Sequence, residues 1–502
     1  MLNLKFMLRA VALLFASMPG ALYASHAVAG HISYEMTGPM TAHITLVTYS
    51  DPSEALIDRC TADFEIWEGT GSSKVSDIPG VPRKNGPLSV DSQFPNITCP
   101  SGIGMGEYVY HRVKRNVYDT TFTFPSAGTY LIRYSDLARF SYVHNMIGSE
   151  SMTMYLEAMI TVGSPAGEQN SVVLLNHLWN TGLQYRRWTF NPGAYDPDGD
   201  SLAFEFMTPL QYDPPTIPSP IPVTGYQNLE DFGSNGPLSL DSISGLVSWD
   251  MPWEPGLYVF AVKISEYRNG TLIGQSHYDK LVRINTWNNQ PPVIQAIRDT
   301  TILPGDTLRL DFMVWDQDPI VDTVYFMLNN VGIGLNSAFR TQPPATVNLS
   351  VPGPLPVSDP DTIFGSIEWA TTPAMARSAP YQIDLYAHDN NSYANGPSID
   401  QLSAHHVILV YVQAPVGLAE STEEIPGVDV FPNPAREKVN IVLEKAMAVD
   451  YELRDASGRK ALEGGFRGMG TAIDTEGLPA GLYLLRVSSG GKSSVIKLLL
   501  GH

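Results

Sequence analysis

One short pattern recurs four times along the 502 residues and restricts the fold more than any other feature of the chain. A small or turn residue precedes Tyr by one or two positions, and alternating apolar residues follow. The copies are Gly128-Thr-Tyr130-Leu-Ile132, Gly256-Leu-Tyr258-Val-Phe260, Ala379-Pro-Tyr381-Gln-Ile383 and Gly481-Leu-Tyr483-Leu-Leu485. Period-two alternation belongs to strands. In β-sandwiches a Tyr at such a corner buries its ring and returns its hydroxyl to nearby backbone. The four tyrosines therefore read as structural rather than catalytic. The second and third copies share more: Gly245-Leu-Val-Ser-Trp249 precedes Tyr258, and Gly365-Ser-Ile-Glu-Trp369 precedes Tyr381. Alternation also marks residues 42–49, 121–124 and 308–314, and no long segment carries a 3.6-residue period. With 42 Gly and 39 Pro punctuating the chain, the expectation is all-β, a tandem array of sandwich domains.

Punctuation and charge divide the chain. Residues 1–24 have a basic start at Lys5 and Arg9, an apolar run over 10–16, then Pro19-Gly20 and small residues. This is the layout of a secretory signal peptide, with cleavage after Ala24 or Ala27. The expected sequel is an N-terminal β-rich domain over 25–166, sandwiches over 167–288 and 289–413, an acidic linker over 414–427, and a small domain over 428–502. The net charge of −20 lies in residues 25–425, which carry −23, while both ends are slightly basic. Such acidity excludes a phosphate-backbone partner, so no nucleic acid is expected. Beyond the leader no run is long enough for a transmembrane helix. Export permits a Cys60–Cys99 disulfide; two buried free thiols are the alternative.

The last 75 residues carry three motifs in order. They are Phe431-Pro432-Asn433-Pro434-Ala435, then Leu453-Arg-Asp455-Ala-Ser-Gly458-Arg459, then the run from Gly477 through Gly481 and Tyr483, closing on Lys497-Leu-Leu-Leu500. Together they resemble the C-terminal sorting domain of the type IX secretion system. The resemblance implies transport across the outer membrane by that apparatus as partner, with the protein displayed on the cell surface or released. The body resembles surface proteins that share this signal. Ser25-His-Ala-Val-Ala-Gly-His31 is similar in part to the mature start of gliding-motility-associated proteins. Phe190-Asn-Pro-Gly-Ala-Tyr-Asp-Pro-Asp-Gly-Asp-Ser-Leu202 resembles the opening of cadherin-like and immunoglobulin-like repeats in bacterial adhesins. Asp-Ser or Asp-Thr followed by an apolar residue or Thr resembles an O-glycosylation site of such proteins; it occurs at Thr120, Ser242, Thr300, Thr307, Thr323 and Thr362.

Asp196, Asp198 and Asp200 alternate in one turn, and a carboxylate-rich loop can supply several of the six to eight oxygens that Ca²⁺ takes. A plain Pro-Asp-Gly turn is the competing explanation. Asp316, Asp318 and Asp322 form a less regular second cluster, with Asp389 a further candidate. No local metalloprotease, nucleophile-elbow or dinucleotide motif is present. His405 and His406 fall on opposite faces of a strand. The expected role is non-enzymatic: an adhesin or surface-architecture protein with a glycan or protein ligand. Two rivals remain. One is a secreted hydrolase with its site in residues 25–166. The other is a carbohydrate-binding module using Trp67, Trp179, Trp188 and Trp253.

Overall fold

The structure is a computed structural model. It describes residues 27–51, 59–88, 99–110, 113–136, 139–164, 167, 169–178, 181–213, 216–229, 238–286, 289–297, 299–318, 323–331, 346–350, 357–359, 362–389, 402–413, 425, 427–455, 459–479, 481–490 and 492–500. The expected signal peptide, Trp179, Asp322, Gly458 and most of the expected linker lie outside them. The described residues are all-β, with helix limited to 3₁₀ turns such as Ser149–Ser151 and Pro373–Met375. The chain forms two compact units, residues 1–412 and 413–502.

In the first unit one sheet of twelve strands runs through both segments expected as separate domains, 25–166 and 167–288. The shared element is Thr271–Asn285, 15 residues long and thus about 50 Å in extent. Gln275 and Ser276 pair with Met159 and Ala158, and Lys280, Asp279 and Tyr278 pair with Ala29, Gly30 and His31. The same strand forms a hairpin with Gly256–Arg268. Asn269 and Gly270 sit at the hairpin tip with φ of 52° and 77°. Two positive φ values are what a two-residue hairpin turn of the right twist requires, and Asn-Gly supplies them.

The cores follow the sheet. One holds Ile32, Ile44, Phe64, Ile66, Ile132 and Leu156, all from the first segment. The other holds Trp188, Phe190, Trp249, Phe260 and Tyr278 together with Val28, Val47, Tyr49 and Val143 from the first segment. Residue 166 therefore separates neither sheets nor cores. Side chains on one face of Ala27–Gly38 and Thr41–Ser50 point into the first core, while Val28, Val47 and Tyr49 reach the second. Cys60 and Cys99 are disulfide-bonded, with Cα atoms 5.5 Å apart.

Residues 289–413 form a two-layer sandwich. One sheet orders Val293–Gln295, Thr307–Trp315, Thr362–Ala370 and Thr346–Leu349. The other orders Asp299–Ile302, Ser403–Val412, Tyr381–His388, Val324–Val331 and Val357–Asp359. Leu310, Phe312, Ile367, Trp369, Ile383 and Ile408 fill the space between. The sandwich meets the preceding segment through polar contacts. Asn176 Nδ2 donates to Asp384 Oδ2 at 2.6 Å, and the His405 amide donates to Thr189 Oγ1 at 3.1 Å. His405 also holds Asp384 through Nδ1 at 3.1 Å, while His406 bonds the Ile297 carbonyl on the other face.

The second unit is a compact β fold around the long strand Lys438–Asp455. Its pairing to Lys460–Asp474 breaks register between Val442 and Met447; on its other edge the first half pairs with Val428–Phe431 and the second with Gly481–Ser489. Val439, Ile441, Leu453, Tyr483, Leu485 and Leu498 form its core.

All four repeated tyrosines make the corner bond. Tyr130, Tyr258 and Tyr483 donate to the carbonyls of Ser126, Glu254 and Pro479 at 2.9, 2.8 and 2.9 Å, each four residues upstream. Tyr381 reaches six residues back, to the carbonyl of Met375 at 2.9 Å, the last residue of the 3₁₀ turn Pro373–Met375. The shared tryptophans explain the shared sequence: Trp249 packs edge-on against Tyr258 at 5.2 Å and Trp369 against Tyr381 at 4.9 Å. Tyr258→Phe keeps the ring and deletes the bond, so it should cost about 1 kcal/mol in urea denaturation. An unchanged midpoint would show that the hydroxyl contributes nothing to the corner.

Candidate metal site and export signal

The turn carrying Asp196, Asp198 and Asp200 opens the strand Ser201–Met207. Asp196 Oδ1 accepts the amides of Asp198 and Asp200 at 2.8 and 3.0 Å, which closes the turn. Gly199, at φ 82°, provides the left-handed step. Asp196 is only 4% exposed, and its Oδ2 has no hydrogen-bond partner. Ligand atoms of all three aspartates lie within 4.8 Å of one another, which no other acidic, His or Cys group of three achieves among the described residues.

Two further residues complete the site. Ser201 and Leu202 pair with Tyr267 and Glu266 across the sheet. Glu266, 1% exposed, accepts from the Val172 amide and from Gln169 Nε2, both at 3.2 Å. Burial first, and then the Asp196 charge, push its carboxyl up to about 8. Burial likewise pushes Asp196 up to about 6, against the amide bonds that favour its charged form. Arg268 forks onto Asp200 at 2.8 and 2.6 Å and reaches Asp198 Oδ2 at 3.1 Å. Asn170 clamps Asp198 through its amide and Nδ2 at 2.8 and 2.7 Å. Asp198 and Asp200 thus face the Arg268 guanidinium, the Asp196 charge bears on a second guanidinium, Arg377, and Asp196 keeps an open oxygen. Sequence reading found the three aspartates and missed Glu266 and Arg268. They lie about 70 positions downstream, and only strand pairing brings them there.

The second expected cluster is looser. Asp316 Oδ1 accepts the Asp318 amide at 2.9 Å, and Asp318 Oδ2 accepts the Gln290 amide at 2.8 Å. Asp389 bonds Asn289 Nδ2 at 2.9 Å and the Leu402 amide at 2.8 Å, so these carboxylates tie down the segment at 289–290. Of the tryptophans considered as sugar platforms, Trp188 is buried and Trp253 is 52% exposed. Trp67 lies under the Arg133 and Lys74 cations at 4.7 and 5.7 Å. Among the candidate glycosylation positions, Ser242 and Thr307 are exposed, and Thr120, Thr300, Thr323 and Thr362 are half-buried.

In the C-terminal unit the first motif is tied to the last strand. Asn433 Nδ2 donates to the Lys497 carbonyl at 2.7 Å, and its Oδ1 accepts the Leu499 amide at 2.9 Å. Pro432 and Pro434 flank it on the exposed surface. Asp455 accepts the Arg459 amide at 3.0 Å and its Nε at 3.1 Å. Gly481 starts the strand that buries Tyr483. Residues that are distant in sequence thus close one small fold.

Residues 429–500 match the family described as secretion system C-terminal sorting domain. This tail is a type IX secretion C-terminal sorting domain, and it marks the chain as a substrate of that system, exported to the cell surface or the medium. No curated protein matches the sequence. Two solved chains described as "Marsupial T cell receptor" align at 11% and 10% identity, with TM-scores of 0.17 and 0.16. Each alignment covers 66% of this chain and 99% of the receptor chain. Among the described residues no helix is long and apolar enough to cross a membrane.

The raised Glu266 carboxyl has a definite sign in stability. Between its ordinary value of 4.5 and about 8 the folded chain keeps a proton that the unfolded chain has released. Stability should therefore fall as pH rises through that window. In buffer free of divalent cations, the melting temperature should drop from about pH 5 to about pH 8, and Glu266→Gln should reduce that drop. Equal slopes for the wild type and the variant would refute this.

Proposed function

We propose that the chain is a non-enzymatic surface protein, adhesin-like or architectural, whose acidic body is the working part and whose C-terminal unit is its export label. The observation that carries this reading is the union of a sorting domain over 429–500 with a body in which two segments share a twelve-stranded sheet. A shared sheet transmits load through backbone bonds rather than through a hinge, which suits a displayed, force-bearing part. The acidity of residues 25–425 suits solubility outside the cell.

Calcium belongs to the same reading. Asp196, Asp198 and Asp200 would hold the ion. The open Asp196 Oδ2 and the surplus of carboxylates over cations support that fit. The ion would supply positive charge to a buried acidic turn and so stiffen the joint beside Arg268. Extracellular modules bind Ca²⁺ with Kd of about 10⁻⁴–10⁻³ M, so about 10 mM Ca²⁺ should add roughly 1.4–2.7 kcal/mol.

Two measurements test the proposal. Melting in Ca²⁺ against EDTA should show a rise of a few degrees that Asp196→Asn abolishes; no rise would remove the ion from the reading. In a bacterium with a type IX system, whole cells carrying the full chain should adhere to a glycan or matrix-coated surface. Cells carrying a chain truncated before residue 428 should retain the protein inside and lose adhesion. Equal adhesion by both would overturn the adhesin role.

A further inference from the structure

A polar concavity lies where strands of the first segment meet residues 173–177, built from residues with no part in the aspartate turn. It encloses about 290 Å³ and is lined by two adjacent strands, by Arg115 and by residues 173–177. Register explains the lining. His31, Ser33 and Glu35 stand opposite Val47, Thr45 and His43, and Tyr49 stands opposite Arg115. Cross-strand partners share a face, so these side chains point the same way. Ile32, Ile44 and Leu46, the alternate residues, enter the core behind.

The floor holds an unsatisfied group. His31 is 7% exposed, and its Nδ1 has no hydrogen-bond partner. Buried polar atoms are nearly always partnered, and an orphan in a cavity marks the place of a missing water or ligand. Beside it the Tyr49 hydroxyl meets His177 Nδ1 at 3.4 Å. The Arg115 charge bears on all three groups: it helps lower both imidazoles and opposes the burial that raises Tyr49. For both histidines burial is the larger cause, and His31 is held down to about 3, so its ring is neutral. The Arg115 ion pair with Glu107 is 3.5 Å long, and the Glu107 side chain is 58% exposed. The guanidinium also bonds the Tyr49 hydroxyl, and with five N–H donors it has more to offer than these two contacts use.

These groups select an occupant. At the Arg115 end a guanidinium beside two neutral imidazoles disfavours a metal cation, while the Glu35 carboxylate sits at the far end of the strand pair, opposite His43. Guanidinium is instead the preferred partner of a carboxylate. The remaining lining is amphipathic. Ser33, Thr45, Glu35 and His43 line one wall, and Val173, Leu174 and Leu175 form an apolar ledge. The volume lies near the lower end of ligand pockets, about 300–1,000 Å³, and suits one sugar ring. We propose that this pocket binds a carboxylate-bearing sugar residue, its acid group on Arg115 and the Tyr49 hydroxyl, its ring on the ledge of residues 173–175. His31 Nδ1 then gains a ligand hydroxyl as its partner. The site needs no divalent cation, so it stands apart from the calcium reading.

The test is ligand-observed NMR on the full chain in EDTA, titrating glucuronate, galacturonate and N-acetylneuraminate against glucose, galactose and acetate. At least one sugar acid should saturate the protein below about 10 mM and bind about tenfold tighter than the neutral sugars and acetate. Arg115→Gln should weaken it about tenfold, and Tyr49→Phe, which keeps the ring, by a smaller factor. Should Arg115→Gln lower the melting temperature, Tyr49→Phe alone decides. Equal binding of acids and neutral sugars, no binding by any sugar acid, or full affinity in Tyr49→Phe would overturn the proposal. Acetate binding as tightly as the sugar acids would do so as well, since it would reduce the pocket to a bare anion site.

Discussion

The backbone ladder along Thr271–Asn285 is the interaction on which the first unit depends. A strand of ordinary length would serve one sheet; this one is long enough to pair with Met154–Val162 and Ala27–Gly38 while also completing a hairpin with Gly256–Arg268. Once it does so, the two segments cannot rotate independently without breaking consecutive hydrogen bonds. The second core then has to be filled partly from the first segment, and Val28, Val47, Tyr49 and Val143 do this. The same strand buries Lys280 completely, its Nζ donating to the Leu178 carbonyl at 3.1 Å and lying 4.3 Å from the Phe190 ring centre. Burial holds that amine well below its ordinary value.

The aspartate turn is a consequence of the same hairpin. Glu266 and Arg268 lie near its tip, and pairing with Ser201–Met207 sets them beside the turn. Arg268 neutralises part of a cluster that would otherwise be strongly self-repelling, and it does so mainly at Asp200, leaving Asp196 to burial and to the Arg377 charge. The charge balance of the turn is thus divided between the two guanidinium groups and an open oxygen. At the next joint the design differs: Asp384 is satisfied by His405 and Asn176, and Asp389 by Asn289 and an amide. Those carboxylates are structural, and their bonds are already made.

Much of this was legible in the chain. The Tyr corners, the Trp partners, the Asn-Gly hairpin and the sorting motifs are local patterns whose physics acts within a few residues, and each has the geometry its sequence implies. The three aspartates were legible for the same reason. The division at 166/167 was read from Gly163-Ser-Pro-Ala-Gly167, a sound turn signal, but a turn in the chain does not end a sheet when a later strand returns to it. Glu266 and Arg268 were missed because the run Glu266 to Gly270 reads only as turn-like and nothing local connects it to residue 196. The His31 pocket left no signal either, since its members come from two strands, a third strand and a covering segment.

The sequence by itself determined the strand alternation, the corners, the turn chemistry and the export label, because each depends on neighbours within one or two turns of chain. Only the tertiary structure decided that two segments are one sheet, that the aspartate turn carries a fourth acid and a guanidinium, and that Arg115, Tyr49 and His31 line one cavity. Those outcomes depend on register between strands separated by tens to hundreds of residues. Register is set when whole apolar faces are buried together, a condition that no single segment contains.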